Sequence, residues 1–278
     1  MATDITNTKL VKELAANDKK TRDAALLSLR TYLSASRSLT PLDYLKIHSG
    51  LFYCMWMCDR PLPQQSLATS LSSLLSSLPP SNQGAFYMGF WEIMRKEWER
   101  IDVLRMEKFL LVVRRYLGAG FELYVSSSTS AGKKTGGKKS AKAESASAAG
   151  EAILAVLSEI PCGTGPDAQR TPNGMRFHVI DIWMDELDKL GIIDAAKESE
   201  EGAEKLERLL EPLRKLGKES LNKIVRKKVK EALADERLPE NEKEGSAGED
   251  GEKSGEKSDE DMDEDESEKE DGWGGIDD

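Results

Sequence analysis

The 278-residue chain is short of the side chains that most enzymes work with. It has two histidines, at 48 and 178, and three cysteines, Cys54, Cys58 and Cys162. So few imidazoles leave little for general-base chemistry or a histidine-rich metal centre. Three thiols cannot all pair with one another and no signal-peptide pattern opens the chain, so a reducing intracellular compartment is expected. No run of about 18 apolar residues is present, which argues against a membrane-spanning helix. Alternating strand patterns are scarce too, which sets aside a sheet protein.

Acid is plentiful, but it is not spread evenly. The whole chain has a formal charge of −10. Residues 239–278 alone hold 19 acidic and 4 basic side chains, a net −15. Residues 1–238 therefore carry 36 basic and 31 acidic side chains, a net +5. The acidic isoelectric point belongs to the tail, and the folding part is mildly basic.

Helical periodicity fills most of the rest. Stretches at 9–16 and 19–33, with Asn17 or Asp18 as a cap, lead to a helix opened by Thr40 and Pro41 and running to about Cys58. Pro61 and Pro63 precede a helix over 65–78, Pro79-Pro80 stops it, and Ser81 or Asn82 starts an aromatic-rich segment to Ile101. A helix capped by Asp102 is expected over 103–125. Further helices are expected over 151–159, 174–190, 200–216 and 220–237. Short connectors between amphipathic helices predict an all-α, antiparallel helical stack resembling an α-solenoid. Its first part is expected over 1–125 and its second over 151–238, as one domain. Between them, residues 126–150 are rich in Ser, Gly, Ala and Lys, with five lysines, one glutamate and no aromatic, and a disordered insertion is expected there. The acidic residues 239–278 are expected to form a disordered tail ending in an apolar hook, Gly272 to Ile276.

Catalytic motifs are absent in usable form. Gly132 to Lys139 resembles a phosphate-binding loop, but Lys139 stands where a hydroxyl is required and no strand precedes it. Cys54, Cys58 and His48 are too few for tetrahedral zinc. Cys162 and His178 lack an orienting third group. Asp181, Asp185 and Glu186 read as a solvated face of one helix rather than carboxylates meeting across a cleft. No enzyme activity, cofactor, metal or small-molecule substrate is expected.

Basic surface carries the positive signal. Leu221, Ile224, Val225, Val229, Ala232 and Leu233 form a stripe at helical spacing, with Lys223, Arg226, Lys227 and Lys230 opposite. A focused basic ridge suits a phosphate backbone, and an ordinary solvated face has the same pattern. A second cluster joins Arg95, Lys96, Arg100, Arg105, Lys108, Arg114 and Arg115 to Trp91, Trp98 and Phe109. Those aromatics fit a helical core better than base-stacking platforms. The tail reads either as a solubilising block or as a competitor for basic surfaces.

Three segments together resemble the eukaryotic nucleolar ribosomal RNA processing protein 1 family: GLFYCMWMCDRPLPQQ (50–65), FWEIMRKEWERIDVLRMEKF (90–109) and PNGMRFHVIDIWMDEL (172–187). The resemblance covers roughly residues 5–235 without the insertion. It implies a non-catalytic factor of nucleolar pre-60S particles, a helical scaffold for large-subunit pre-rRNA processing. Its partners would be other assembly factors and, through basic surface, pre-rRNA. Trp56, Asp59, Arg95, Trp98, Asp102, Arg105, Lys108, Asp181 and Glu186 match the family pattern without bringing a catalytic role. The alternative is an acidic-tailed chaperone for basic proteins such as histones or ribosomal proteins.

Overall fold

The computed structural model describes residues 9–35, 39–132 and 141–241, and every regular element among them is helical. In chain order these are α1 (Lys9–Leu14), α2 (Lys19–Ser34), α3 (Pro41–Trp56), α4 (Pro61–Ser72), α5 (Leu74–Ser77), α6 (Pro80–Glu97), α7 (Val103–Gly132), α8 (Ala141–Glu159), α9 (Asn173–Lys189), α10 (Ile192–Glu198), α11 (Glu200–Glu219) and α12 (Lys223–Leu233). Short 3₁₀ turns at Trp98–Arg100 and Pro166–Arg170 precede α7 and α9.

Local chemistry sets the starts. Asp18 accepts the Thr21 N–H at 2.8 Å to cap α2. Thr40 and Asp43 form a reciprocal capping box with Pro41 at the first helical position of α3. Ser199 caps α11, and Asn222 caps α12 by accepting from the Ile224 and Val225 N–H groups. Gly191, at φ 68°, turns the chain between α9 and α10 in a conformation other residues resist.

Packing order makes the stack. One row runs α1, α3, α6, α8, α11, each helix packed on the next; a second runs α4, α7, α9, α12. The longest contact between rows is α7 on α8. Three bonds join neighbouring helices of the second row. Tyr116 of α7 donates to the Leu71 carbonyl of α4 at 3.0 Å, His178 of α9 meets the Leu110 carbonyl of α7 at 2.9 Å, and Lys228 of α12 pairs with Asp181 of α9 at 2.6 Å. All-α architecture and solenoid-like stacking are as the sequence predicts. One contiguous core holds the rows together, with Trp91, Trp183, Tyr87, Phe86, Phe109 and Phe121 fully enclosed. Truncating any such ring to alanine costs about 3–5 kcal/mol.

Several boundaries differ from expectation. Helix α7 continues to Gly132 and α8 begins at Ala141, so most of the expected disordered insertion 126–150 is helical. Small residues explain this: Gly150 lies so close to Ser127 that a Cβ there would stand 2.1 Å from the Ser127 hydroxyl. The polar, alanine-rich composition that resembles a linker is what lets α8 settle against α7. Residues 133–140 lie outside the described residues. Helix α4 starts at Pro61 rather than Gln65, and the expected 65–78 helix breaks at Ser73. There Ser70, Ser72, Ser73, Ser76 and Ser77 return their hydroxyls to carbonyls three or four residues back, in competition with the helical ladder. Helix α6 starts at Pro80, one residue before the expected start. Helix α10 was not expected; seven residues are too few for a periodic signal, yet Ile192, Ile193 and Ala196 are buried. The expected 220–237 helix is shorter at both ends and gives way to turns over 235–241. Pro239, Glu240 and Asn241, assigned to the disordered tail, belong to the fold. Leu238 is buried, and the Asn241 amide donates to the Leu233 and Asp235 carbonyls at 2.9 and 2.8 Å. The rest of the tail, with its Gly272–Ile276 hook, lies outside the described residues.

Candidate nucleic-acid interface

Candidate enzyme groups are committed elsewhere. His48 is enclosed by α3 and α6, its Nε2 on the Phe86 carbonyl at 2.8 Å, and burial lowers its pKa to about 3. Cys54 is buried, which pushes its thiol up to about 11. No three His, Cys, Asp or Glu side chains are grouped to hold a metal among the described residues. Cys162 is buried with its thiol raised to about 12, too high for a nucleophilic thiolate at neutral pH. His178 is half-buried on the Leu110 carbonyl, and burial lowers its pKa as well. The phosphate-loop-like stretch lies, after Gly132, outside the described residues.

The acidic side chains of α9 are not simply solvated. Asp181 pairs with Lys228, Asp185 with Arg114 and Arg237, and Asp188 with Arg237. Glu186 is buried between the Arg114 Nε at 3.0 Å and Lys189 at 3.4 Å. Four-residue spacing on α9 thus stitches α7, α9 and α12 into the second row. Sequence cannot show this, because the partners lie 71 and 52 residues away.

Structure dissolves the cluster from Arg95 to Arg115. Arg95 is buried and donates to Glu92 at 2.7 Å. Arg100 pairs with Glu97 at 2.8 Å, and Lys96 approaches the same carboxylate at 3.8 Å. Arg105 pairs with Asp102 and lies over the Trp56 ring, 4.7 Å from its centroid. Lys108 is buried and donates to the Trp56 and Cys58 carbonyls at 2.7 and 2.8 Å, closing the α3–α4 corner onto α7. Arg114 belongs to the α9 ladder, and Arg115 is half-buried. Trp91, Trp98 and Phe109 are core, not platforms for bases.

Helix α12 behaves differently. Val225 and Val229 are buried beneath it, while Leu221 and Ile224, expected in the apolar stripe, are 88% and 64% exposed. Helix α12 begins only at Lys223, so its buried face is narrower than the sequence stripe. Lys223, Arg226, Lys227 and Lys230 line an open groove between α12 and the end of α11. Two cations absent from the sequence ridge, Arg214 and Lys218 of α11, face them across it. Pairing of α11 with α12 brings these together, and the four-residue Arg214–Lys218 spacing on α11 is its one signal in the sequence. Internal partners are few. Arg226 donates to the Ser220 carbonyl at 2.7 Å, and Lys227 stands 3.8 Å from Glu231 at the surface. Lys218, Lys223 and Lys230 form no ion pair among the described residues. Among the described residues, the one carboxylate lining the groove is Glu240, paired with Arg214 at 2.9 Å. Such a groove offers several unneutralised cations over about 16 Å, the length of α12, which suits a run of phosphates.

A family model described as nucleolar protein, Nop52, matches residues 5–276. The chain belongs to this family. Human ribosomal RNA processing protein 1 homolog B is 36% identical over 190 residues, covering 66% of this chain and 22% of its own length. Human homolog A is 33% identical over 189 residues, 66% of this chain and 37% of its own. The Dictyostelium discoideum homolog is 27% identical over 194 residues, 66% of this chain and 37% of its own. The chain therefore spans well under half the length of these curated relatives. The family is described as nucleolar, so the chain is a nucleolar protein, and the relatives named above are ribosomal RNA processing proteins. The match extends past residue 235 and runs across residues 126–150.

Proposed function

We propose that the chain is a non-catalytic scaffold of nucleolar pre-60S particles, required for processing of large-subunit pre-rRNA. On this reading the two-row stack holds assembly-factor proteins in place, and the α11/α12 groove contacts pre-rRNA through its backbone. The observation that carries it is the groove itself: Lys218, Lys223, Arg226, Lys227 and Lys230 converge on an open surface, while most of the described cations between 95 and 115 are internally paired. Backbone contacts of this kind position a particle component without reading sequence. The helix stack supplies the rigidity such positioning needs, since its helices share one buried core.

Purification of the tagged full chain at moderate salt, with sequencing of the RNA that accompanies it, tests this. Large-subunit precursor RNA is expected. Recovery of basic proteins without that RNA would overturn the scaffold reading and favour an acidic-tailed chaperone.

A further inference from the structure

The α11/α12 groove is also where the acidic end of the chain leaves the fold. Leu238 is buried as an anchor, the Asn241 amide is tied to two carbonyls at the end of α12, and Glu240 and Asn241 line the groove. Glu240 already places one carboxylate on Arg214, with contacts of 2.9 and 3.1 Å. Seventeen residues further on, positions 259–271 hold ten acidic side chains against one lysine. A tether of that length reaches up to roughly 60 Å when extended, several times the span of the groove. Among the described residues, the basic cluster between 95 and 115 competes poorly for this block, because most of its cations are paired with neighbouring carboxylates.

We propose that the acidic block 259–271 docks in the α11/α12 groove of its own chain, extending the Glu240–Arg214 contact, so that RNA must displace it. The occupant is chosen by charge complementarity and by the point where the tail departs. Its chemistry, a run of carboxylates, imitates a phosphate backbone. Because the block is tethered, its effective concentration at the groove is in the millimolar range, high enough to suppress weak, non-specific RNA binding while a stronger particle-bound site prevails. Only the RNA half of this inference rests on the proposed function; the docking itself does not.

Two measurements on the full chain separate these. Carbodiimide cross-linking joins ammonium to carboxylate groups in contact, and mass spectrometry maps the pairs. Cross-links from Lys218, Lys223, Lys227 or Lys230 to residues 259–271, lost at high salt, are expected; their absence, or cross-links scattered evenly over all surface lysines, overturns the docking. Second, a short oligouridine probe is titrated against the full chain and against a tail variant, D259N/E260Q/D261N/D263N/E264Q/D265N/E266Q. The variant is expected to bind about tenfold more tightly at about 100 mM salt, with the gain abolished when Lys223, Arg226, Lys227 and Lys230 are also replaced by Ala. A gain that survives those replacements contradicts docking in this groove. Groove cross-links with no RNA binding by either protein would uphold the docking and sink the RNA reading.

Discussion

Arg95, Lys96, Arg100, Arg105, Lys108, Arg114 and Arg115 form the densest run of cations interleaved with aromatics in the sequence, while α12 carries five cations over residues 223–230. On charge and aromatic content the first region is the better nucleic-acid candidate. In the fold its cations are divided between α6, α7 and the turn joining them, and all but Arg115 meet Glu92, Glu97, Asp102, Asp185, Glu186 or two backbone carbonyls. The second region presents four of its five cations on one open groove, and only Lys228 turns inward, to Asp181. What separates the two is the supply of internal acceptors, not the number of charges. A cation already paired with an internal carboxylate neutralises phosphates less well, and so releases fewer of the counterions condensed on them.

That contrast can be broken most forcefully at Lys108. Replacing it with alanine strips a buried donor from the Trp56 carbonyl at the α3–α4 corner, and should destabilise the fold by about 3 kcal/mol in denaturant unfolding. Any loss of RNA binding should only follow that unfolding. Next in size, replacing Lys223, Arg226, Lys227 and Lys230 together by alanine should weaken RNA binding about a hundredfold at about 100 mM salt. It should also flatten the logarithmic salt slope by about 3–4, with thermal stability nearly unchanged.

Smaller still is a pH effect of the core. The folded pKa of His48, about 3, lies below its unfolded value of 6.5, so the unfolded chain binds the extra proton first. Stability is therefore full above pH 6.5 and declines as pH falls from there toward 3, by about 2 kcal/mol at pH 5. His178, also lowered by burial, acts in the same direction. Denaturant midpoints between pH 7 and 5 should fall accordingly, and His48→Gln, which keeps an N–H donor for the Phe86 carbonyl, should flatten the decline. The smallest effect is expected from Arg100→Ala. It breaks an exposed pair with Glu97, should cost less than about 0.5 kcal/mol, and should leave RNA affinity untouched.

Much of this fold is legible in the sequence because its cues are local. Thr40-Pro41 opens α3, Asp18 caps α2, and the leucine and aromatic periodicity marks the core faces of α3, α6 and α7. What eluded the sequence depends on distant partners. Ser126 to Gly150 reads as a linker until Gly150 is seen against Ser127. Asp181 and Asp185 read as solvent-facing until α12 and Arg237 supply their partners. The candidate groove was half legible: the α12 ridge follows from helical spacing, but Arg214 and Lys218 join it only because α11 packs on α12. The cluster at 95–115 misleads for the converse reason, since adjacency in sequence says nothing about which acceptors the fold brings to each cation.

Ultraviolet cross-linking of RNA to the full chain in purified particles, with the attached peptides mapped, tests the central contrast most directly. Adducts are expected on α11 and α12, between Arg214 and Lys230, with their loss in the fourfold alanine variant. Adducts concentrated between Arg95 and Arg115, or undiminished in that variant, would contradict it.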